Sequence, residues 1–210
     1  MEKKFILTDK FVINSFGIKL FQIKCTKSFK YAQKGDFGGY VEKEGNLDQK
    51  NDAWVSGNAR VFGNARVSSN ARVSGDAWVS DNARVSGDAW VSGNAWVSSN
   101  AWVSGDARVS GDAWVSGDAW VSGNAWVSGD ADIENDNEHC GFDGFGSCNR
   151  HTHAYMTKEK KVEIICGCFR GSIEEFEKKV EETHSGTVYE KQYKSIINVI
   201  KIKFGLTDLI

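Results

Sequence analysis

The sequence has no proline in 210 residues, no apolar run long enough to span a membrane, and almost no net charge. A membrane-crossing helix needs about 18 to 20 consecutive apolar residues, and that length is not approached. A formal charge of -2 and a pI near 6.1 supply no electrostatic reason to expect a nucleic-acid polymer or an anionic membrane as partner. The opening stretch, Met1 to Phe11, has too short an apolar segment for a secretory signal. Five cysteines cannot all pair within one chain, and reduced thiols fit a cytoplasmic protein better than a disulfide framework does.

What is present is repetition. All eight Trp fall between Trp54 and Trp126, and Gly reaches 22 residues. Ala recurs at every sixth position from Ala53 to Ala131, followed two places later by Val, or by Ile133 at the end. Within each Ala-x-Val the apolar pair shares one face of a strand and x points the other way. The following Ser, Gly and Asn or Asp are turn residues, since Gly and Asn tolerate positive φ. Each hexad is therefore one short strand and one corner, and three hexads close an 18-residue triangular coil. A helical period of 3.6 does not fit six, and a disordered tract would not keep Ala and Val in register.

With 18 residues per coil, the outward positions sort into three columns. One is Trp54, Arg72, Trp90, Arg108 and Trp126, the second Arg60, Trp78, Trp96, Trp114 and Asp132, the third Arg66, Arg84, Trp102 and Trp120. So much outward Trp exceeds what a soluble monomer exposes, so at least one column should be covered. Trp78, Trp96, Trp114, Trp102 and Trp120 are the expected oligomer interface; a ligand-stacking surface and a solvent-exposed ladder are the alternatives.

Outside the array, 1–40 reads as a β cap, 41–135 as the β-helix with an irregular start near Gly38, and 136–210 as a small α+β domain. Val41 and Leu47 fall in the Ala register. In the C-terminal part, 152–157 and 161–169 read as strands. Ser172 with Glu175 makes a capping box for a helix with Ile173, Phe176 and Val180 on one face. A second helix spans about 189–204, with Tyr193, Ile196, Ile197 and Ile200 at core spacing.

The array carries no His, Cys or Lys to act as general base, which argues against an enzyme. His139, Cys140, Cys148, His151, His153, Cys166 and Cys168 contain no C-x2-C knuckle, and the alternation Val162, Ile164, Cys166, Cys168 favours buried strand cysteines over a zinc site. No metal or other cofactor is expected. The densest polar segment holds Ser147, Asn149, Arg150, His151, Thr152, His153 and Tyr155. It reads as a loop cradling a small anionic or nucleotide-like ligand, or as a hairpin fixing the C-terminal domain to the last coil. Ser172, at a helix N-terminus, is a second candidate anion site.

The segment V-S-G-N-A-R, Val55 to Arg60, resembles the hexapeptide motif of left-handed parallel β-helix proteins, and the resemblance implies a left-handed coil and a homotrimer. K-G-D-F-G-G-Y-V at Lys34 to Val41, G-S-C-N-R-H-T-H-A-Y at Gly146 to Tyr155 and G-C-F-R-G-S-I-E-E-F at Gly167 to Phe176 are similar to phage and prophage hexapeptide-repeat proteins, with Cys148 where Arg is expected. That resemblance implies a protein of the host cytoplasm that sequesters a nucleotide-derived immune signal. A structural scaffold and a hexapeptide acyltransferase are the other expectations. Replacing Trp78, Trp96 and Trp114 together should give a smaller particle by light scattering, and an unchanged mass would refute that column as the interface.

Overall fold

The computed structural model describes residues 2–206. Each hexad forms a two-residue strand, from Trp54–Val55 to Asp132–Ile133, and then turns a corner. Strands 18 residues apart pair in parallel, in register: Trp96 lies between Trp78 and Trp114, Trp90 between Arg72 and Arg108, Trp102 between Arg84 and Trp120. The result is a parallel β-solenoid of about five turns whose three faces carry the three columns read from the sequence. Every inward Ala and Val from Ala53 to Ile133 is buried, as one continuous core. A buried Val is worth about 1.5 to 3 kcal/mol, so stability accumulates hexad by hexad.

The corners explain the rest of the motif. Ten glycines take φ between +59° and +69°, and Ser69, Asp81 and Ser99 take the same conformation near +58°. The Asn and Asp that follow form ladders, with Asn64 donating to Asn82, Asn82 to Asn100 and Asn100 to Asp118 at 3.0 to 3.3 Å. The corner Ser has a partner too. Indole N–H groups of Trp90, Trp96, Trp102 and Trp120 donate to Ser74, Ser80, Ser86 and Ser104 of the preceding coil at 2.9 to 3.1 Å. Where the array substitutes Phe62 for Ser, the ring packs edge-on against Trp78 at 5.9 Å instead.

The N-terminal segment extends one face. Strands β1 (Phe5–Ile13) and β2 (Lys19–Cys25) form an antiparallel hairpin, and β3 (Phe37–Val41) pairs antiparallel with β2 and parallel with Arg60–Val61. Gly38 and Gly39 are required there, because a Cβ would lie 2.6 and 2.7 Å from the carbonyl oxygens of Val55 and Ala59. Val41 and Leu47 stand beside Val61 and Val67, hence in the Val register and not in the Ala register expected. Two additional residues after Leu47 account for the shift, and Lys4 closes the enlarged corner by donating to the carbonyls of Asn51 and Ala53 at 2.6 and 2.7 Å. Burial pushes the Lys4 ammonium down to about 8, against the opposing pull of Asp48 and Asp52. The cap also covers Trp54 with Phe29, and Phe16 lies within 6.4 Å of Phe62, Trp78 and Trp96. The chain itself thus covers part of two columns, leaving Trp102, Trp114, Trp120 and Trp126 exposed.

After Ile133, four strands outside the coils, β4 (His139–Phe145), β5 (Arg150–Met156), β6 (Val162–Cys166) and β7 (Phe169–Ser172), form an antiparallel meander. Helices α1 (Ile173–His184) and α2 (Val188–Lys203) follow. The first strand was not expected, because Gly141, Asp143 and Gly144 interrupt its apolar pattern. The expected 161–169 strand is two, broken by a turn at Gly167 with φ +61°. The sheet is a lid over the open solenoid end, with Tyr155 and Ile165 joining the solenoid core and Ala154, Ile164 and Cys166 facing the helices.

Stacked corners make a sharp prediction. A Cβ on Gly105 would sit 2.9 Å from the Gly123 nitrogen, whereas one on Gly123 meets nothing within 4 Å, and both residues have φ above +60°. Gly123→Ala should cost about 1 kcal/mol through backbone conformation alone, and Gly105→Ala about 1 to 3 kcal/mol more, measured by urea unfolding. Equal losses would contradict close stacking of the corners.

Candidate functional site

The turn between β4 and β5 is tight, with positive φ at Gly144, Gly146 and Asn149. Gly146 donates its N–H to Gln192 at 3.0 Å, and the Tyr193 hydroxyl fills the space where a side chain would be, so α2 holds the turn in place. Beside it runs the β6–β7 turn, where Gly167 leaves room for the Arg150 guanidinium. The two turns and the two helices enclose a cleft of about 220 Å³. Arg150 and Lys179 supply positive charge, Ser147, His184 and Thr183 polar groups, and Phe169, Phe176 and Val180 an apolar wall. Cys148 and Cys168 line the cleft beside the Arg150 guanidinium, and their proximity, Cys148 first, raises it above the usual arginine range. At the base Thr152 donates to Cys166 at 3.3 Å, and Cys166 to the Tyr193 hydroxyl at 3.7 Å. Burial and that thiol push the Tyr193 phenol upward.

Arg150 also borders a second groove, of about 240 Å³, lined by Trp126, Asn124, His151, His153 and Ile165. Behind it His139, His153 and His151 form a row, ring centroids 5.3 and 5.5 Å apart. His151 Nδ1 meets Asp143 at 2.8 Å, His139 Nε2 lies 3.5 Å from Asp136, and His151 Nε2 is 3.4 Å from His153 Nδ1. His153 is buried, and among the described residues its Nε2 has no hydrogen-bond partner. Burial, reinforced by the two flanking imidazoles, holds it well below the ordinary histidine range, and burial lowers His139 as well.

The expected polar loop is therefore largely a strand, and alternation divides its residues. Ser147 and Arg150 line the cleft, and Asn149 shapes the turn. His151 faces the second groove. Thr152 is buried toward the helices, and His153 and Tyr155 are buried against the last coil, so these three are not brought to the cleft. Tyr155 reaches the Ser128 carbonyl at 3.2 Å and the carboxylate of Glu163, which pairs with Arg170 at 2.6 Å. Ser172 lies apart from both: its hydroxyl accepts from the Glu175 N–H, and its own N–H donates to the Glu175 carboxylate at 2.8 Å. With Glu174 bonded to the same hydroxyl, side chains of the helix already fill that N-terminus.

Cys166 is buried as expected, but Cys168 is exposed because the strand has ended before it. Among the described residues no three His, Cys, Asp or Glu converge as metal ligands, and no helix is long and apolar enough to cross a membrane. Lys179, Thr183 and His184 were not foreseen. They flank Phe176 and Val180 on α1, and the helical period from the Ser172 cap would have placed them at the cleft.

Because His153 must stay neutral in the fold, the unfolded chain binds more protons below pH 6.5, so stability present above that pH is lost as pH falls. Thermal unfolding should therefore drop between pH 7.5 and 5, with a weaker dependence in His153→Asn. An identical dependence in the variant would remove His153 from the account.

Comparison with protein families finds the YdcK beta solenoid repeat at residues 53–69, 65–81, 77–93, 83–99 and 101–117, all inside the coils. No curated protein matches the chain. The chain is similar to that repeat through its solenoid, and the similarity stops short of the C-terminal sheet and helices.

Proposed function

We propose that the protein is a non-catalytic binder that sequesters a small anionic, nucleotide-derived metabolite, as a phage-encoded sponge for a host immune signal would. The observation that carries this reading is the placement of Arg150 between two concavities, one walled by Phe169 and Tyr193, the other by Trp126. A guanidinium with an aromatic surface on either side suits a phosphate attached to a planar base. The coils from 53 to 133 offer no His, Cys or Lys for acyl transfer, which favours capture over conversion. The likeness of the segments around Lys34, Gly146 and Gly167 to phage and prophage proteins supports the biological setting. In this reading the chain works as a homotrimer in the cytoplasm, its subunits meeting on the exposed Trp102, Trp114 and Trp120.

A second reading, a structural rod, is favoured by the indole stacks. Trp96 and Trp114 lie 5.2 Å apart and 3° from parallel, and Trp102 and Trp120 5.3 Å apart and 9° from parallel. Such ladders stiffen a coil whether or not a ligand binds.

Calorimetry with cyclic nucleotides and cyclic ADP-ribose-type compounds, followed by heating and recovery of the ligand, separates these readings. Binding should be tight, the ligand should return intact, and Arg150→Gln should weaken affinity about 10- to 100-fold, the worth of a charge-assisted hydrogen bond of 1.5 to 3 kcal/mol. A chemically altered product would indicate an enzyme, and no binding at millimolar ligand would leave the rod.

A further inference from the structure

The third face of the solenoid differs from the other two in how it distributes charge. Elsewhere arginine neighbours tryptophan: Arg60 lies 5.0 Å from the Trp78 ring and Arg72 4.5 Å from Trp90, and Arg108 pairs with Trp90 and Trp126. On the third face Arg84 has Trp102 on one side, but on the other Arg66 and Arg84 occupy adjacent rungs, in register, both exposed. Two guanidiniums one coil apart repel each other, and in-register pairing prevents either backbone from moving away.

Nothing within the described residues neutralises them. No carboxylate is within ion-pair distance of Arg66 or Arg84. The acids beside this face are engaged elsewhere: Glu44 with Lys3 and Glu42 with the Gly63 N–H, both at 2.6 Å, Asp81 with the Ser80 hydroxyl and the Ser99 N–H, and Asp118 with the Asn100 amide. Lys43, between those two acids, instead joins the arginines along a groove of about 560 Å³ and donates to Asn64 at 3.3 Å. The far wall is the amide ladder of Asn64, Asn82 and Asn100. Each of these amides spends one N–H on the next rung, and a carboxamide has a second.

We propose that this groove is an anion site for a phosphate-bearing group with two or more negative charges, bridging Arg66 and Arg84 with Lys43 and the ladder amides at its edges. A diphosphate matches it in two respects. Its two charged centres can each meet one guanidinium, and its oxygens accept from forked donors at both. The site involves no residue of the Arg150 cleft and stands whether or not that cleft holds a nucleotide.

Calorimetry with inorganic pyrophosphate at low ionic strength tests it, with sulfate at matched ionic strength as comparison. One pyrophosphate per chain should bind, at least tenfold more weakly to Arg66→Gln/Arg84→Gln, several-fold more weakly to Lys43→Gln, and unchanged to Arg150→Gln. The double variant should melt no lower than the parent in the absence of ligand, since it removes a repulsion; Lys43→Gln, outside the regular coils, provides an independent reading if it does not fold. Absence of binding at millimolar pyrophosphate, binding retained by the variants, or a loss produced equally by Arg150→Gln would overturn the proposal. Sulfate bound as tightly as pyrophosphate would overturn the assignment to phosphate.

Discussion

Register governs this molecule. Each residue of a coil pairs with the residue 18 places on, so the chain cannot satisfy a backbone hydrogen bond without also choosing the neighbour of every side chain. Inside, that constraint leaves room only for Ala and a β-branched residue. Outside, it turns single substitutions into columns: indole lies on indole, guanidinium on indole, amide on amide. The Trp N–H groups, which reach back to a Ser of the preceding coil, link neighbouring coils through side chains as well as backbone. Mixing Trp and Arg along a column is thus a matter of which rings and charges must coexist at one coil's spacing.

The same constraint makes the ends of the array the difficult part. An open coil exposes unpaired strand edges and a cross-section of apolar core. At the N-terminal end the solution is continuity, as β3 pairs with the first regular coil and passes the edge on to β2 and β1. At the C-terminal end it is a lid, whose Tyr155 and Ile165 enter the core while Lys158 donates its N–H to Asp130. That lid contains the histidine row, which places titratable rings at the seam between two structural units.

The regular parts of the fold were legible in the sequence because period and pattern agreed over many hexads. Column membership, the Ser172 capping box and the apolar faces of both helices all follow from spacing. The enlarged corner after Leu47 was not legible, since an insertion of two preserves the in-and-out alternation and leaves no trace in hydrophobic pattern. Nor was the division of the polar segment. Arg150, His151, Thr152 and His153 look alike in a linear reading, and only the presence of helices on one side and the last coil on the other decides which are buried. Arg150 alone among the expected ligand residues borders both concavities, because it stands where β5 emerges from its turn.

A six-residue unit on a three-sided coil also sets how such a protein can change length. Adding or removing 18 residues moves the lid along the axis by one strand spacing, about 4.8 Å, and leaves its orientation to the cap unchanged. Adding or removing six turns the lid by a third of a revolution and brings a different column under the histidine row. The number of hexads therefore acts as a phase as well as a length, and the present array fixes Trp126, not Trp114 or Trp120, as the indole beside Arg150.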